Sequence, residues 1–217
     1  MLAAVPARSR LLTLILAVAA ALLATAPAAS AGRDRCAVAR SKTVKQTSAV
    51  RVLGVTRKQE TTYYGCLRST GRRVRLVRTF NDEESLSSGR LGAVRVAGSS
   101  VAVTATGFDD IGPDGSEFES LAVVDLARGG RAYRVGISTN DEDQYDGFAT
   151  LILRADGAAA WVLSGNSDYD EVDVLGPAAR RPTPVAYAKA IEERSLAFGG
   201  DGVTWLQGGA TRTAAIP

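Results

Sequence analysis

Asp141, Asp143 and Asp146 share a D-x-D-x-x-D spacing with Asp168, Asp170 and Asp173. Carboxylates so spaced offer hard oxygen ligands, and the ion they suit best outside cells is Ca²⁺. Neither run is an EF-hand loop, because its glycine at the sixth position and bidentate Glu at the twelfth have no counterparts. A Ca²⁺ site at Asp141, Asp143 and Asp146 is thus one expectation, and solvated surface charge is the other. Tyr145 and Tyr169 sit inside the same runs, where a half-exposed ring beside carboxylates could stack on a sugar or a cation. With Asp110 from a third acidic run, the candidate binding set is Asp110, Asp141, Asp143, Tyr145, Asp146, Asp168, Tyr169 and Asp170.

Other chemistry is largely excluded by what the chain lacks. Its 217 residues contain no His, which removes the commonest general base, the commonest metal ligand and every Ser-His or Cys-His nucleophile pair. There is no GxSxG, P-loop or GxGxxG, and GGDG at 199–202 is one short turn. No cofactor beyond Ca²⁺ is implied. A pair of carboxylates could still hydrolyse a glycoside without histidine.

The elements that must position these residues read as short strands. AVRVLGVT (49–56), TTYYGCL (61–67), VAVTAT (101–106), SLAVVDL (120–126), AAAWVLS (158–164) and VTWLQ (203–207) are representative: rich in Val, Leu, Thr and aromatics, many alternating apolar with polar. The one helical candidate is AYAKAIEER (186–194). A strand, a Gly turn and a second strand recur as AVRVAGSSVAVTAT, TLILRADGAAAWVLS and SLAFGGDGVTWLQ, with Val103, Trp161 and Trp205 at matching places. Trp161, Trp205, Phe148 and Phe198 fall in apolar settings that suit a core.

Residues 1–31 carry a positive start at Arg8 and Arg10, an apolar run over 11–24 and a small-residue site at Ala29-Ser30-Ala31. These are the parts of a secretory signal peptide, and the apolar run is too short for a span of about 20 residues. The expected organisation is a signal peptide at 1–31 and a single domain at 32–217, secreted, with no stable membrane insertion after cleavage. In an exported chain Cys36 and Cys66 are expected to form a disulfide. Removing Arg8 and Arg10 leaves 24 basic and 23 acidic groups, so the charge gives no reason to expect nucleic acid as a partner.

Four-stranded antiparallel units repeating at roughly 40 to 50 residues are the mark of a β-propeller. These recurring units resemble the WD40-like and TolB-like propeller superfamily, and the signal peptide with YYGC (63–66), VVDL (123–126), GAAAWVL (157–163) and GVTWLQGG (202–209) resembles, more narrowly, a group of secreted proteins of high-GC bacteria. The resemblance implies an all-β, small or incomplete propeller-like fold, with a β-sandwich as the alternative. The last unit stops after about three strands, so closure would require CAVARSKTV (36–44) to complete it.

Charge is segregated along the chain. Sixteen of the 23 carboxylates lie in NDEE (81–84), DDIGPDGSEFE (109–119), NDEDQYD (140–146) and 166–173, whereas Arg crowds RSTGRRVR (68–75), ARGGR (127–131) and GPAARRP (176–182). In an up-and-down blade these two classes of connection emerge at opposite faces. The acidic loops should therefore share one face, with Arg73, Arg131 and Arg181 on the other. The expected function is a secreted, non-catalytic recognition or scaffold module that binds a protein or envelope polymer through one loop face. The alternatives are a histidine-free carbohydrate-active enzyme and a purely structural role. Oligomeric state is not legible.

Overall fold

Side chains at i, i+2 and i+4 of a strand share a face, and in 101–103 and 158–163 both faces are apolar. Such strands need a neighbouring layer on each side. The computed structural model describes residues 34–82, 87–109, 116–129, 131–139, 145–165 and 168–217, and within them antiparallel sheets stack face to face. The first sheet is an eight-stranded meander in chain order. It comprises β1 (Ser41–Gln46), β2 (Val50–Arg57), β3 (Glu60–Leu67), β4 (Arg72–Asp82), β5 (Ser87–Ala97), β6 (Ser100–Asp109), β7 (Ser116–Asp125) and β8 (Arg131–Ser138). β4 and β5 pair only at Asn81↔Ser88 and Asp82↔Ser87, and β4 packs over β6 and β7. The meander is therefore two four-stranded units, one folded over the other. A third unit runs β12-β11-β10-β9 and a fourth has three strands. These are β9 (Tyr145–Leu153), β10 (Ala159–Gly165), β11 (Tyr169–Leu175) and β12 (Thr183–Lys189), then β13 (Ala197–Gly199), β14 (Gly202–Gln207) and β15 (Ala210–Ala215).

Each junction between units is one apolar layer. Val50, Val52 and Leu76 meet Val101, Val103 and Val124 between units 1 and 2. Ala102, Leu121 and Val123 meet Leu151, Trp161 and Leu175 between units 2 and 3, and Val162, Val172 and Val174 meet Leu196, Val203 and Trp205 between units 3 and 4. The repeated hairpins are β5–β6, β9–β10 and β13–β14. Counted from the residue that closes each turn (Ser100, Ala158, Gly202), the third residue on is Val103, Trp161 or Trp205, and each faces the preceding unit. The same count from Val50 in β2 reaches Leu53, a first-unit equivalent that the sequence motifs did not reveal.

Among the described residues no sheet precedes the one that carries Leu53. Leu53 packs instead on the disulfide between Cys36 and Cys66, whose Cα atoms are 5.8 Å apart. Residues 34–40 are tied down further: Arg51 Nη1 donates to Asp34 Oδ2 at 2.6 Å, and the Cys36 N–H donates to Asp34 Oδ1 at 3.1 Å. That N–H bond, with the Arg51 guanidinium beside it, holds the Asp34 carboxyl below its ordinary range.

Two expectations are corrected. The segment 36–44 does not complete the last unit, because the disulfide and the β1–β2 ladder commit it to the first. The helix at 186–194 is absent: 183–189 is the outer strand β12, followed by one 3-10 turn at Glu193–Ser195. Pro182 and Pro184 disfavour helix there, and Val185 and Ala186 cover the third apolar layer. The all-β antiparallel expectation holds. Face-to-face stacking is common to propeller blades and sandwiches, and no strand pairing among the described residues closes the array. Residues 1–31 lie outside the described residues, among which no helix is long and apolar enough to cross a membrane.

If the bridge fastens the cover over Leu53, Cys36→Ser with Cys66→Ser will lower the urea-unfolding free energy by about 3 kcal/mol, from loop closure alone. The oxidised protein unfolded without reductant should show no reactive thiol.

Candidate functional site

Where a meander places its odd and even connections at opposite ends, residues distant in sequence gather at each end. At the end from which the β2–β3, β4–β5, β6–β7 and β8–β9 connections leave, units 1, 2 and 3 enclose a cleft of about 780 Å³. Its walls are polar: Gln59, Thr61 and Asn81 from the first unit, Ser88, Arg90, Thr106 and Glu119 from the second, and Asp146 from the third. Two rings join them. Tyr63 lies along β3, and Phe118, 44% exposed, lies over Gly107, where a Cβ would fall 2.2 Å from the ring.

Glu119 is the buried carboxylate of this cleft, 9% exposed. In β7 it shares a face with Leu121 and Val123, so it enters the layer between units 2 and 3. Burial raises its pKa, opposed by the Phe148 N–H, which donates to Oε2 at 2.7 Å, by the Thr104 hydroxyl and by the charge of Arg90. Gly147 makes room for it: its φ is +140°, and a Cβ there would lie 2.4 Å from Glu119 Oε2. Only glycine adopts that backbone readily.

Immediately before Gly147, Tyr145 and Asp146 diverge. The Tyr145 hydroxyl donates to Glu171 Oε2, and burial followed by that carboxylate raises the tyrosine pKa, while Asp146 is exposed and lines the cleft. Glu171 and Asp173 follow at i and i+2 in β11, on the face that Leu175 buries against unit 2. Asp173 is 6% exposed and sits directly across from Trp161, whose ring stacks on Tyr133 at 5.6 Å. Burial, then the charge of Glu171, pushes its pKa up to about 6. The Trp161 indole N–H facing it offsets this in part but falls short of full hydrogen-bonding geometry.

The remaining sequence candidates divide. Asp110, Asp141 and Asp143 lie outside the described residues. Asp168 has a left-handed φ of +62°, a conformation Asp tolerates in turns, and its 90% exposed carboxylate stands 3.9 Å from Lys189. Tyr169 stacks on Tyr187 at 5.3 Å, with the Lys189 ammonium 4.9 Å from its ring centre. Asp170 turns inward and accepts from the Gly165 N–H at 3.4 Å, and burial raises its pKa. Asp168, Asp170 and Asp173 therefore point to three different environments. Among the described residues no three His, Cys, Asp or Glu side chains are grouped to hold a metal ion. At the opposite end Arg73 and Arg181 are exposed, and Arg128 reaches from unit 2 to the Pro177 carbonyl of unit 3 at 3.3 Å; the Arg131 side chain is outside the described residues.

Sequence reasoning counted Glu119, Glu171 and Asp173 among loop charges and passed over Arg90 and Tyr133. The signal was present in the period of two: Glu119-x-Leu121-x-Val123 and Glu171-x-Asp173-x-Leu175 each carry carboxylate onto an apolar face. No protein-family profile, curated protein or solved structure matches the chain.

A raised carboxylate pKa stabilises the fold fully below the unfolded value and is lost as pH rises through the folded one. For Asp173 that window runs from about pH 4 to 6. Asp173→Asn should therefore raise the unfolding free energy at pH 7.5 by about 3 kcal/mol, and the difference should vanish below pH 4. Urea titrations across pH measure it.

Proposed function

We propose that this protein is a non-catalytic recognition module, working outside the cytoplasm, that holds a segment of a hydroxyl-rich envelope polymer in the cleft between units 1, 2 and 3. The cleft carries this reading: about 780 Å³ walled by hydroxyl and amide side chains, with Tyr63 and Phe118 as rings and Arg90 as a cation. Sugar units need that mixture, because their hydroxyls require partners and their ring faces pack on aromatics. The disulfide supports an oxidising compartment.

Glu119 argues for binding over hydrolysis. A catalytic acid must give up its proton to the substrate, whereas this carboxylate accepts from the Phe148 N–H across a packed junction and from Thr104 within its own sheet. It fixes the cleft floor. The stacked units supply a rigid frame, and binding residues are commonly carried on connections held by such frames.

Retention of the purified protein on insoluble cell-wall polysaccharide tests the reading. Arg90→Ala with Phe118→Ala should weaken retention at least about tenfold, roughly 1.4 kcal/mol, and Arg181→Ala at the far end should leave it unchanged. Retention insensitive to the cleft variants, or release of reducing ends by the unaltered protein, would refute it.

A further inference from the structure

The face of unit 1 turned away from unit 2 carries a recess of about 310 Å³, and its walls are basic. Residues directly opposite on antiparallel strands share a sheet face. On this face Arg57 stands opposite Glu60 and Val55 opposite Thr62, and β4 continues the rows with Arg78 beside Thr62 and Arg73 beside Cys66. Five residues separate Arg73 from Arg78, which in a regular strand would put them on opposite faces. The register shift between Thr62↔Arg78 and Tyr64↔Arg75 spends one extra residue in β4 and returns both to the same face. Val38 supplies a further wall, held there by its packing with Val55 and Tyr64 against Leu53 and the disulfide.

Three guanidinium groups thus line one recess with a single carboxylate, Glu60. That carboxylate is already engaged, accepting from Arg78 Nε at 3.1 Å and from the Thr62 hydroxyl at 2.7 Å. Arg57 and Arg73 are exposed and have no acceptor among the described residues. The cations also have a layout. Thr62 and Cys66, which lie beside Arg78 and Arg73, are four residues apart along β3, or about 13 Å at the usual rise. Arg57 and Arg78 therefore mark one end of the recess and Arg73 the other, with Tyr64 between.

We infer that this recess binds an extended polyanion, whose oxyanion groups are taken by Arg57 and Arg78 at one end and by Arg73 at the other. A single small anion does not span that distance, which argues for a chain of anionic groups. Guanidinium forks suit carboxylate and phosphate alike, so the shared chemistry is the oxyanion. Nucleic acid fits less well, because single strands are held largely by stacking their bases on rings, and Tyr64 is half-buried against the disulfide cover. The site is separate from the cleft, where Arg90 faces Glu117, Glu119 and Asp146, and it does not rest on the reading of that cleft.

Isothermal titration at low salt, where charge pairing is least screened, tests this with three probes: inorganic polyphosphate, polygalacturonate and a single-stranded thymidine oligonucleotide. Polyphosphate, polygalacturonate or both should bind, and which of them does identifies the oxyanion. Arg57→Ala with Arg73→Ala should weaken that binding at least tenfold, and Arg57→Lys with Arg73→Lys should restore most of it. Arg180→Ala with Arg181→Ala, which removes as much charge from an exposed turn of unit 3, should change it less than twofold, as should Arg90→Ala with Phe118→Ala in the cleft. Failure of both polyanions to bind overturns the inference. So does an equal loss in the Arg180 and Arg181 variant, a loss that follows the cleft variant instead, or tighter binding of the oligonucleotide than of either polyanion.

Discussion

A sheet apolar on both faces cannot stand alone, and most of this structure follows from finding each face a neighbour. The position three residues after each inner turn faces the unit before it, and it is occupied in turn by Leu53, Val103, Trp161 and Trp205. Burying side chains of this size contributes roughly 1.5 to 3 kcal/mol each. A stack has two ends, however, and there the repeat fails. At the first, residues 34–40 and the disulfide cover Leu53. At the last, β14 is apolar toward unit 3 through Val203 and Trp205, while Thr204 and Leu206 on its other face stay partly exposed.

The junction between units 2 and 3 holds the two most buried carboxylates among the described residues. Glu119 and Asp173 enter it from opposite sheets, one from β7 and one from β11. Glu119 is compensated, with two donors and a nearby guanidinium. Asp173 is not, which is why its proton affinity rises so far. Leaving a buried carboxylate short of partners costs stability that an apolar residue would avoid. The same junction contributes Asp146 and Glu119 to the cleft, so its polarity is concentrated where the proposed ligand would lie.

The strands were legible wherever alternation met an apolar face, as in 101–106 and 158–164, and the Gly-turn hairpins gave their phase. β1 and β15 were not among the segments read as strands from apolar alternation, because SKTVKQ and ATRTAA are mostly exposed and carry no such pattern. β12 was mistaken for a helix because Ala and Lys favour one, and the ladder with β11 overrode that propensity. At the candidate site, spacing between aspartates was a poor guide. Asp168, Asp170 and Asp173 share a pattern on paper, yet a left-handed turn at Asp168 and the alternation of β11 send their side chains apart. The cleft was invisible because it is assembled from three units, and only packing brings Thr61, Arg90 and Asp146 to one place.

The polarity of the two ends follows from these constraints. At the end where the tight turns lie, units approach closely: a Cβ on Gly98 would fall 2.8 Å from the Ala155 carbonyl, and Arg128 bridges to Pro177. The pocket these turns leave is smaller, about 310 Å³, and the Arg128 guanidinium beside it is already engaged by that carbonyl and by Asp125. At the other end the units part around the cleft, whose lining includes Glu117, Glu119 and Asp146. These carboxylates would repel a further anion by up to about 1 kcal/mol per close pair in water, less with salt. That repulsion favours a ligand that brings hydroxyl donors over one that brings further anions.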